Sequence, residues 1–153
     1  TVKPAPQAPE RPATTSQGWV TVGGKWRYVG NDGAYATGWI KVKGTWYYLH
    51  GNGDMATGWL KLGKTWYYLK GSGAMATGWL KLGKTWYYLK GSGAMATGWY
   101  QVGRTWYYSN GSGAMQANRW IGNYYVKSSG AMATSQWIGR YHVNASGKWD
   151  KTR

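Results

Sequence analysis

Residues 58–77 read GWLKLGKTWYYLKGSGAMAT, and residues 78–97 repeat the same twenty residues without a change. The same 20-residue period runs through five full units over residues 18–117. Residues 118–153 hold two shorter, divergent units and a C-terminal tail. A fixed period of this length is typical of repeat proteins, in which each unit packs against its neighbours and atypical units close the end. The chain is therefore expected to be a linear array of small units.

Each unit contains two short runs that are typical of β-strands. In the quoted unit they are residues 59–62 and 65–69, separated by Gly63-Lys64. Glycine in the first position of a two-residue loop favours a type II′ hairpin turn, whereas the equivalent Lys43-Gly44 favours type I′. A single hairpin is marginal in water, so successive hairpins must bury a face against one another. The sequence predicts an all-β fold, a solenoid of stacked β-hairpins built from 20-residue repeats.

The two-residue loop also determines which side chains share a face of the hairpin. It places Trp59 opposite Tyr68 and Lys61 opposite Trp66, and side chains alternate along a strand. These four residues therefore share an aromatic face that also carries a cation. The opposite face is predicted to hold Leu60, Leu62, Tyr67 and Leu69. We expect this aliphatic face to serve packing, with Tyr67 contributing to stability.

Composition explains how such an array can form a core and which chemistry it excludes. The 153 residues include 13 Trp and 14 Tyr but no Cys or Phe, and the net charge is +15. Few aliphatic residues and a high charge usually indicate disorder, but packed Trp and Tyr rings can supply the apolar area. Without Cys we expect no disulfide or Cys-based zinc site, and no apolar run is long enough to span a membrane. The carboxylates Glu10, Asp32, Asp54 and Asp150 and the histidines His50 and His142 form no plausible pair, so no catalytic or metal-binding residues are predicted.

The repeated aromatic face has several interpretations. Trp and Tyr pair well across strands, so the face could be purely structural. It could equally be a cage for a quaternary ammonium ion, which has no N–H to donate and is held by cation–π attraction, with Met as a polarizable wall. A sugar-stacking face would look similar. Basic and aromatic residues together also describe single-stranded nucleic-acid binders. The pattern alone separates an ammonium cage from a sugar-stacking face poorly, and no nucleic-acid partner is expected.

The stretch GWLKLGKTWYYLKGSGAMATGW, residues 58–79, resembles the choline-binding repeats of streptococcal surface proteins and cell-wall hydrolases. The resemblance covers residues 18–117 fully and 118–149 in divergent form. It implies a hairpin solenoid that binds choline or phosphocholine of teichoic and lipoteichoic acids, with sites between consecutive hairpins. Each site is expected to take two Trp from one hairpin, a Tyr from the next and often a Met from the connection.

Carried onto this chain, the resemblance implies five sites, each using the second Tyr of the following unit. The groups are Trp39, Trp46, Met55 and Tyr68; Trp59, Trp66, Met75 and Tyr88; Trp79, Trp86, Met95 and Tyr108; Trp99, Trp106, Met115 and Tyr125; and Trp19, Trp26, Tyr35 and Tyr48, where Tyr35 replaces Met. Further along, Asn123, His142 and Trp149 stand where the second Trp, the Tyr and the Met are expected. This decay predicts a cap or a homodimer contact at the C-terminal repeats.

The remaining segments suggest how the chain is used. Residues 1–17 contain all four prolines and no Trp or Tyr, which predicts a semi-rigid linker to an upstream module. With no signal peptide, the chain is expected to be a mature or excised piece of a secreted protein at the bacterial cell surface. We expect a binding module without a cofactor, not an enzyme; a cell-wall hydrolase module would be a separate part of the parent protein. The alternative function is a glucan-binding repeat module, although such repeats usually carry Phe.

Lysines recur at the same places in the two identical units, as Lys61, Lys64 and Lys70 and as Lys81, Lys84 and Lys90. They could be solvated residues that discourage edge pairing. They could also attract the phosphodiester backbone of teichoic acid. Lys61 lies between Trp59 and Trp66 on the aromatic face, so it could pair with the phosphate of phosphocholine or lie across Trp66 and partly block the site.

Overall fold

The computed structural model describes residues 18–153, and the predicted linker of residues 1–17 lies outside the described residues. Every regular element in the described part is a β-strand, and no helix there is long and apolar enough to cross a membrane. The strands are β1 (Gly18–Val22), β2 (Lys25–Val29), β3 (Gly38–Val42), β4 (Thr45–Leu49), β5 (Gly58–Leu62), β6 (Thr65–Leu69), β7 (Gly78–Leu82), β8 (Thr85–Leu89), β9 (Gly98–Val102), β10 (Thr105–Ser109), β11 (Arg119–Ile121), β12 (Tyr124–Val126), β13 (Gln136–Ile138), β14 (Tyr141–Val143) and β15 (Trp149–Thr152).

Consecutive strands pair as antiparallel hairpins, and β15 adds a third strand to the last hairpin. In β5–β6, Trp59 lies opposite Tyr68 and Lys61 opposite Trp66, so the predicted register is confirmed. Strands β1 to β10 have five residues each, whereas β11 to β14 have three. The all-β fold of hairpins repeating every 20 residues is confirmed.

The turn conformations follow the position of glycine. Gly63 has a φ of +64° and Lys64 has no positive φ, as a type II′ turn requires. Lys43 and Gly44 have φ values of +51° and +84°, so both central residues lie in the left-handed region of a type I′ turn. Both predicted turn types are therefore confirmed, and both keep the two-residue loop length that sets the register.

The described residues divide into two compact units. One comprises residues 18–78 and Leu89–Ala94; the other comprises Trp79–Tyr88 and Met95–Arg153. Within the first unit, the connection after β6 joins two hairpins: the Met75 amide donates to the Trp46 carbonyl (2.9 Å) and the Ala76 amide to the Tyr68 carbonyl (2.8 Å). The same bonds recur in the second unit from Met115 to Trp86 and from Gln116 to Tyr108. Each connection thus reaches back to the preceding hairpin.

The most buried side chain of most hairpins is the aliphatic residue that ends the second strand, as Leu49 and Leu69 do. In β10 this residue is Ser109, whose hydroxyl is 2.8 Å from the Tyr100 hydroxyl. Tyr100 occupies the position of Leu60, so a longer residue on one strand offsets a shorter one on its partner. Burial raises the pKa of Tyr100, consistent with its phenol lying inside the second unit.

Candidate functional site

An open cleft of about 340 Å³ lies in the first unit, lined by Trp39, Trp46, Tyr67 and Met75 together with Gly91 and Ser92. The ring centroids of Trp39 and Trp46 are 6.4 Å apart at 88°, and those of Trp39 and Tyr67 are 5.0 Å apart at 67°. Trp39 therefore packs edge-to-face against the other two rings, and the three rings form the walls of the cleft. A small apolar cation placed among them would face several aromatic surfaces at once.

Three successive repeats supply the walls of this cleft. Trp39 on β3 and Trp46 on β4 share a face because they lie two rungs apart in the hairpin register. Tyr67 comes from β6 of the next hairpin and projects from its opposite face. The hydrogen bond from the Met75 amide to the Trp46 carbonyl brings the methionine alongside the second tryptophan. Ser92 belongs to the turn after a third hairpin.

The same arrangement recurs twice in the second unit. A cleft of about 330 Å³ is lined by Trp79, Trp86, Tyr107, Met115 and Ser129. Another, of about 340 Å³, is lined by Trp99, Trp106, Tyr124, Met132 and Ser146. The distance from the first Trp ring to the cross-hairpin Tyr ring is 4.9 Å in the former and 5.7 Å in the latter. The same geometry thus occurs in both compact units, so it follows from the repeated sequence.

A glycine of the following turn holds each cleft methionine in place. Gly93 has a φ of +91°, and the sulfur of Met75 occupies the space that a Cβ on Gly93 would need. Gly130 has a φ of +89° and is related to Met115 in the same way. Both the backbone conformation and the packing therefore require glycine at these two positions, each of which directly follows a serine of the turn.

The predicted groupings differ from these clefts in their tyrosine. The cleft of Trp39 and Trp46 contains Tyr67, whereas the sequence named Tyr68. Tyr68 packs on Trp59 of its own hairpin at 5.0 Å, as the register requires. The face assignment was correct, but the clefts lie between hairpins, and there the Trp face of one hairpin meets the opposite face of the next. By the same rule Tyr48, Tyr88, Tyr108 and Tyr125 pack on Trp39, Trp79, Trp99 and Trp120 of their own hairpins.

The methionines lie beside the tryptophans of the hairpin before the one with which they were grouped in the prediction. Met75 was grouped with Trp59 and Trp66, but its amide bonds to Trp46. Met55, grouped with Trp39 and Trp46, likewise bonds to Trp26. The reason is that each connection reaches back to the hairpin before the one it follows. Met115 accordingly joins Trp86, and Met132 takes the place predicted for Met115 beside Trp106, while Met95 lies against Gly113. Trp59 and Trp66 form the same perpendicular pair as the others, at 6.3 Å and 89°.

The first repeat, residues 18–37, departs from the site that was predicted for it. Trp19 lies 4.8 Å from Tyr47 and is only 4% exposed, so it belongs to the core with Leu49. Tyr35, predicted in place of Met, carries the Arg27 guanidinium over its ring at 4.9 Å. Arg27 Nε also pairs with Asp54 Oδ1 at 2.9 Å. The Tyr35 face is thus engaged by a cation of the chain itself.

Lysines accompany the second tryptophan of several hairpins. The Nζ atoms of Lys41, Lys61 and Lys81 lie 5.7, 5.8 and 5.6 Å from the ring centroids of Trp46, Trp66 and Trp86. In β9 the equivalent residue is Gln101, opposite Trp106. A positive charge therefore stands beside the cleft of Trp39 and Trp46 and beside that of Trp79 and Trp86, whereas the cleft of Trp99 and Trp106 has a neutral amide in that place.

Two pairs of oppositely charged or ionisable side chains, Arg27 with Asp54 and His142 with Asp150, lie within the described part and far apart in sequence from each other. The hydrogen bond from Arg27 holds the pKa of Asp54 below its usual range. His142 Nδ1 lies 2.7 Å from Asp150 Oδ1. Residues 18–153 contain no group of three or more His, Asp or Glu side chains that could hold a metal ion.

Strand β15 pairs with β14 and extends the last hairpin to a three-stranded sheet. The Arg153 guanidinium and the Lys151 ammonium lie 4.4 Å and 5.9 Å from the Trp137 ring centroid. The Trp149 amide donates to the Asn123 carbonyl at 2.8 Å, the bond that a methionine makes to the second Trp in the regular repeats. The predicted equivalence of Trp149 to Met and of Asn123 to the second Trp therefore holds in the backbone.

Sequence reasoning missed Tyr67, Tyr107, Tyr124 and Met132 as cleft residues. A signal was present for the tyrosines, because the first Tyr of each pair lies on the face opposite the tryptophans. If hairpins stack with unlike faces in contact, that Tyr must meet the Trp face of its neighbour. The serines of the third repeat had no such signal, since their approach depends on the path of the connections.

Comparison with known proteins places the chain in a family. A model described as choline-binding repeat matches residues 16–57, 36–78, 56–100 and 76–120, and a second of the same description matches 114–149. The chain belongs to the choline-binding repeat family. A comparison with curated proteins gives no match.

Solved structures from Streptococcus pneumoniae share the fold. CbpJ is 47% identical over 88% of this chain and 48% of its own, with a TM-score of 0.81. Choline binding protein F, crystallised with a peptidoglycan analogue, is 46% identical over 89% of this chain and 47% of its own, with a TM-score of 0.83. The modular autolysin LytC is 36% identical over 90% of this chain and 33% of its own, with a TM-score of 0.72. The chain thus spans half or less of the length of these relatives.

Proposed function

We propose that each of the three clefts built on Trp39 and Trp46, on Trp79 and Trp86, and on Trp99 and Trp106 binds the trimethylammonium group of choline. These three are called the regular clefts. The observation that carries this proposal is the box of two Trp rings, one Tyr ring and one Met, formed three times with the same geometry. A quaternary ammonium ion cannot donate a hydrogen bond, so aromatic faces and a polarizable sulfur are the partners that suit it. Membership of the choline-binding repeat family supports the same ligand.

The natural form of the ligand is phosphocholine on teichoic and lipoteichoic acids of a bacterial cell wall. Lys41 and Lys81 stand beside their clefts, where an ammonium group can pair with a phosphate that emerges from the cleft. The net charge of +15 adds a long-range attraction to a polyanionic polymer. The chain therefore acts as a non-covalent anchor at the bacterial surface and needs no cofactor. Catalysis, where the parent protein has it, resides in another module.

Several weak sites on one chain explain how such an anchor holds. A cation–π cage without hydrogen bonds contributes only a few kcal/mol, which corresponds to a dissociation constant of roughly millimolar. A polymer that carries many choline groups engages several clefts at once, and the second contact is then intramolecular. Affinity for the wall exceeds affinity for free choline for this reason. A homodimer through the C-terminal repeats would add further valency and stays a prediction.

The glucan-binding alternative fits the clefts less well. A sugar ring stacks on an aromatic face but also needs partners for several hydroxyl groups. The lining of the cleft of Trp79 and Trp86 consists of three rings, a thioether and one serine. This surface matches three methyl groups around a charge better than a ring of hydroxyls.

The proposal is tested by calorimetric titration with choline and with 3,3-dimethyl-1-butanol, in which carbon replaces the charged nitrogen. We expect choline to bind several sites at roughly millimolar concentration, and the neutral alcohol to bind at least about tenfold more weakly. Sodium chloride at matched ionic strength is the control for screening. Equal binding of choline and the alcohol, or a single tight site, would contradict the proposal.

A further inference from the structure

A fourth cleft, of about 290 Å³, lies in the second unit where the repeat pattern has decayed. Its lining consists of Trp120, Tyr141 and Trp149 together with Gly122 and Asn123. The centroids of Trp120 and Tyr141 are 5.9 Å apart at 85°, and those of Tyr141 and Trp149 are 6.0 Å apart at 85°. Tyr141 therefore packs edge-to-face against both tryptophans, and Trp149 and Asn123 occupy the repeat positions that hold Met and the second Trp in the clefts described above.

We infer that this terminal cleft is an additional site for a quaternary ammonium ion, rebuilt around Trp149. The inference rests on the proposed function of the regular clefts. In those clefts the first Trp is the central ring, in contact with both other rings. In the terminal cleft Tyr141 is central, with Trp120 on one side and Trp149 on the other. The number of aromatic walls is kept while their source changes.

The shortened hairpin explains why the second tryptophan is missing. Strands β11 and β12 have three residues, and their register contains only the rungs Arg119–Val126, Trp120–Tyr125 and Ile121–Tyr124. The rung that carries Lys41 opposite Trp46 in β3–β4 has no counterpart. The turn residue Asn123 therefore takes the place of the second Trp, and one wall of the cage is absent from this hairpin.

Trp149 restores that wall from the other side. Its amide bonds to the Asn123 carbonyl at 2.8 Å, and its indole Nε1 donates to Thr152 Oγ1 at 3.2 Å. Strand β15 pairs with β14, which fixes Trp149 beside Tyr141. Trp149 is nevertheless 43% exposed, so its ring is ordered by the backbone and open to a ligand.

Trp137 of the same sheet provides a built-in contrast. Arg153 and Lys151 lie over its ring, so its aromatic face already carries cations of the chain. A second cation there would meet like charge. By contrast, the cation–π pairs of the described residues include none on Trp120, Tyr141 or Trp149. The terminal cleft is open to a ligand cation, whereas Trp137 is not.

The test is a titration of the whole chain followed by the indole N–H signals in two-dimensional ¹H–¹⁵N NMR. Single Trp→Phe variants assign the signals of Trp120, Trp149, Trp137 and Trp79. Choline chloride is added at constant ionic strength, with 3,3-dimethyl-1-butanol as the neutral control. We expect the signals of Trp120 and Trp149 to shift along one saturable curve, and the Trp137 signal to move less than a quarter as far. The alcohol should shift none of them at the same concentrations.

Two variants separate a cage from a structural contact. Trp149→Leu should remove the choline response of Trp120 and leave that of Trp79 unchanged, and Trp149→Phe should restore part of it. The backbone amide of His142 reports whether β15 stays paired in each variant. If Trp79 responds to choline and Trp120 does not, the inference is overturned while the proposed function stands. If no indole responds, the proposed function itself fails.

Discussion

The hairpins β3–β4 and β11–β12 each contribute to a cleft with three aromatic walls, but the residues that form the walls differ. The longer hairpin supplies two tryptophans because its five-residue strands include the rung of Lys41 and Trp46. The shorter one lacks that rung, and its cleft takes Trp149 from the final strand. The backbone bond that delivers the outer wall is common to both, from Met75 to Trp46 at 2.9 Å and from Trp149 to Asn123 at 2.8 Å. The connection between hairpins therefore determines where this wall lies, whereas the residue type at that position differs between Met75 and Trp149.

The comparison also separates charge from shape. The longer hairpins pair a lysine with the second tryptophan in three cases, whereas β11–β12 has no such rung. The two kinds of cleft thus offer similar aromatic walls in different electrostatic surroundings. We expect both to bind an ammonium group and only the lysine-bearing clefts to favour an attached phosphate.

The largest expected effect is on stability, and it tests whether the methionine contact is common to both regions. Gly73→Ala places a Cβ where the Met55 sulfur lies, in a backbone with a φ of +89°. We expect a loss of about 2 kcal/mol in the free energy of unfolding, measured in denaturant. Gly147 has a φ of +91° and lies against Met132, so Gly147→Ala should lower the free energy of unfolding by a similar amount.

Gly71→Ala is the matched control for Gly73→Ala. Gly71 has no atom within 4 Å of the Cβ position and no positive φ. This variant should change the free energy of unfolding by less than about 0.5 kcal/mol. Equal losses at Gly71 and Gly73 would show that the methionine contact contributes nothing specific.

The next effect concerns which tyrosine walls the cleft of the longer hairpin. Tyr67→Leu keeps apolar bulk but removes the ring that faces Trp39 at 5.0 Å, so choline affinity at Trp39 and Trp46 should fall about tenfold, or about 1.4 kcal/mol. Tyr68→Leu changes the ring that packs on Trp59 and should leave the response of Trp39 unchanged. The indole signals of Trp39 and Trp46 provide the measurement. A loss at Trp39 with Tyr68→Leu alone would restore the sequence-based grouping.

The smallest effect concerns the lysines that distinguish the two kinds of cleft. Replacing Lys41, Lys61 and Lys81 by Gln reproduces the situation of Gln101. We expect the ratio of phosphocholine to choline affinity to fall about threefold at the clefts of Trp46 and Trp86, since exposed ion pairs contribute up to about 1 kcal/mol, and to stay unchanged at the cleft of Trp106, which already has Gln101. The ratio at the terminal cleft should not change.

The control for this variant removes the same charge elsewhere. Lys64, Lys70 and Lys84 are exposed, and replacing them by Gln lowers the net charge equally. Competition titrations with both ligands at two salt concentrations compare the two triple variants. An equal fall in both would assign the phosphate preference to overall charge and not to the lysines beside the tryptophans.

Much of the fold could be predicted because it depends on local rules. The two-residue loop at Gly63-Lys64 sets the register, and the register sets which side chains share a face. The choice between Tyr67 and Tyr68 could not be made in this way, because it depends on which face of one hairpin meets the next. The displacement of Met75 by one repeat depends on the path of a connection, which strand periodicity does not encode. Trp149 was recognised as a departure from the pattern, but its role as a wall appears only when β15 is in place.

A crystal structure of the chain with choline tests the central claim most directly, because it shows which side chains surround the ammonium group. The account predicts ligand density in the cleft of the first unit, enclosed by Trp39, Trp46 and Tyr67 with Met75 alongside. It predicts the same arrangement at Trp79, Trp86, Tyr107 and Met115. Density enclosed by Tyr68 and Met55, or clefts that stay empty at saturating choline, would contradict it.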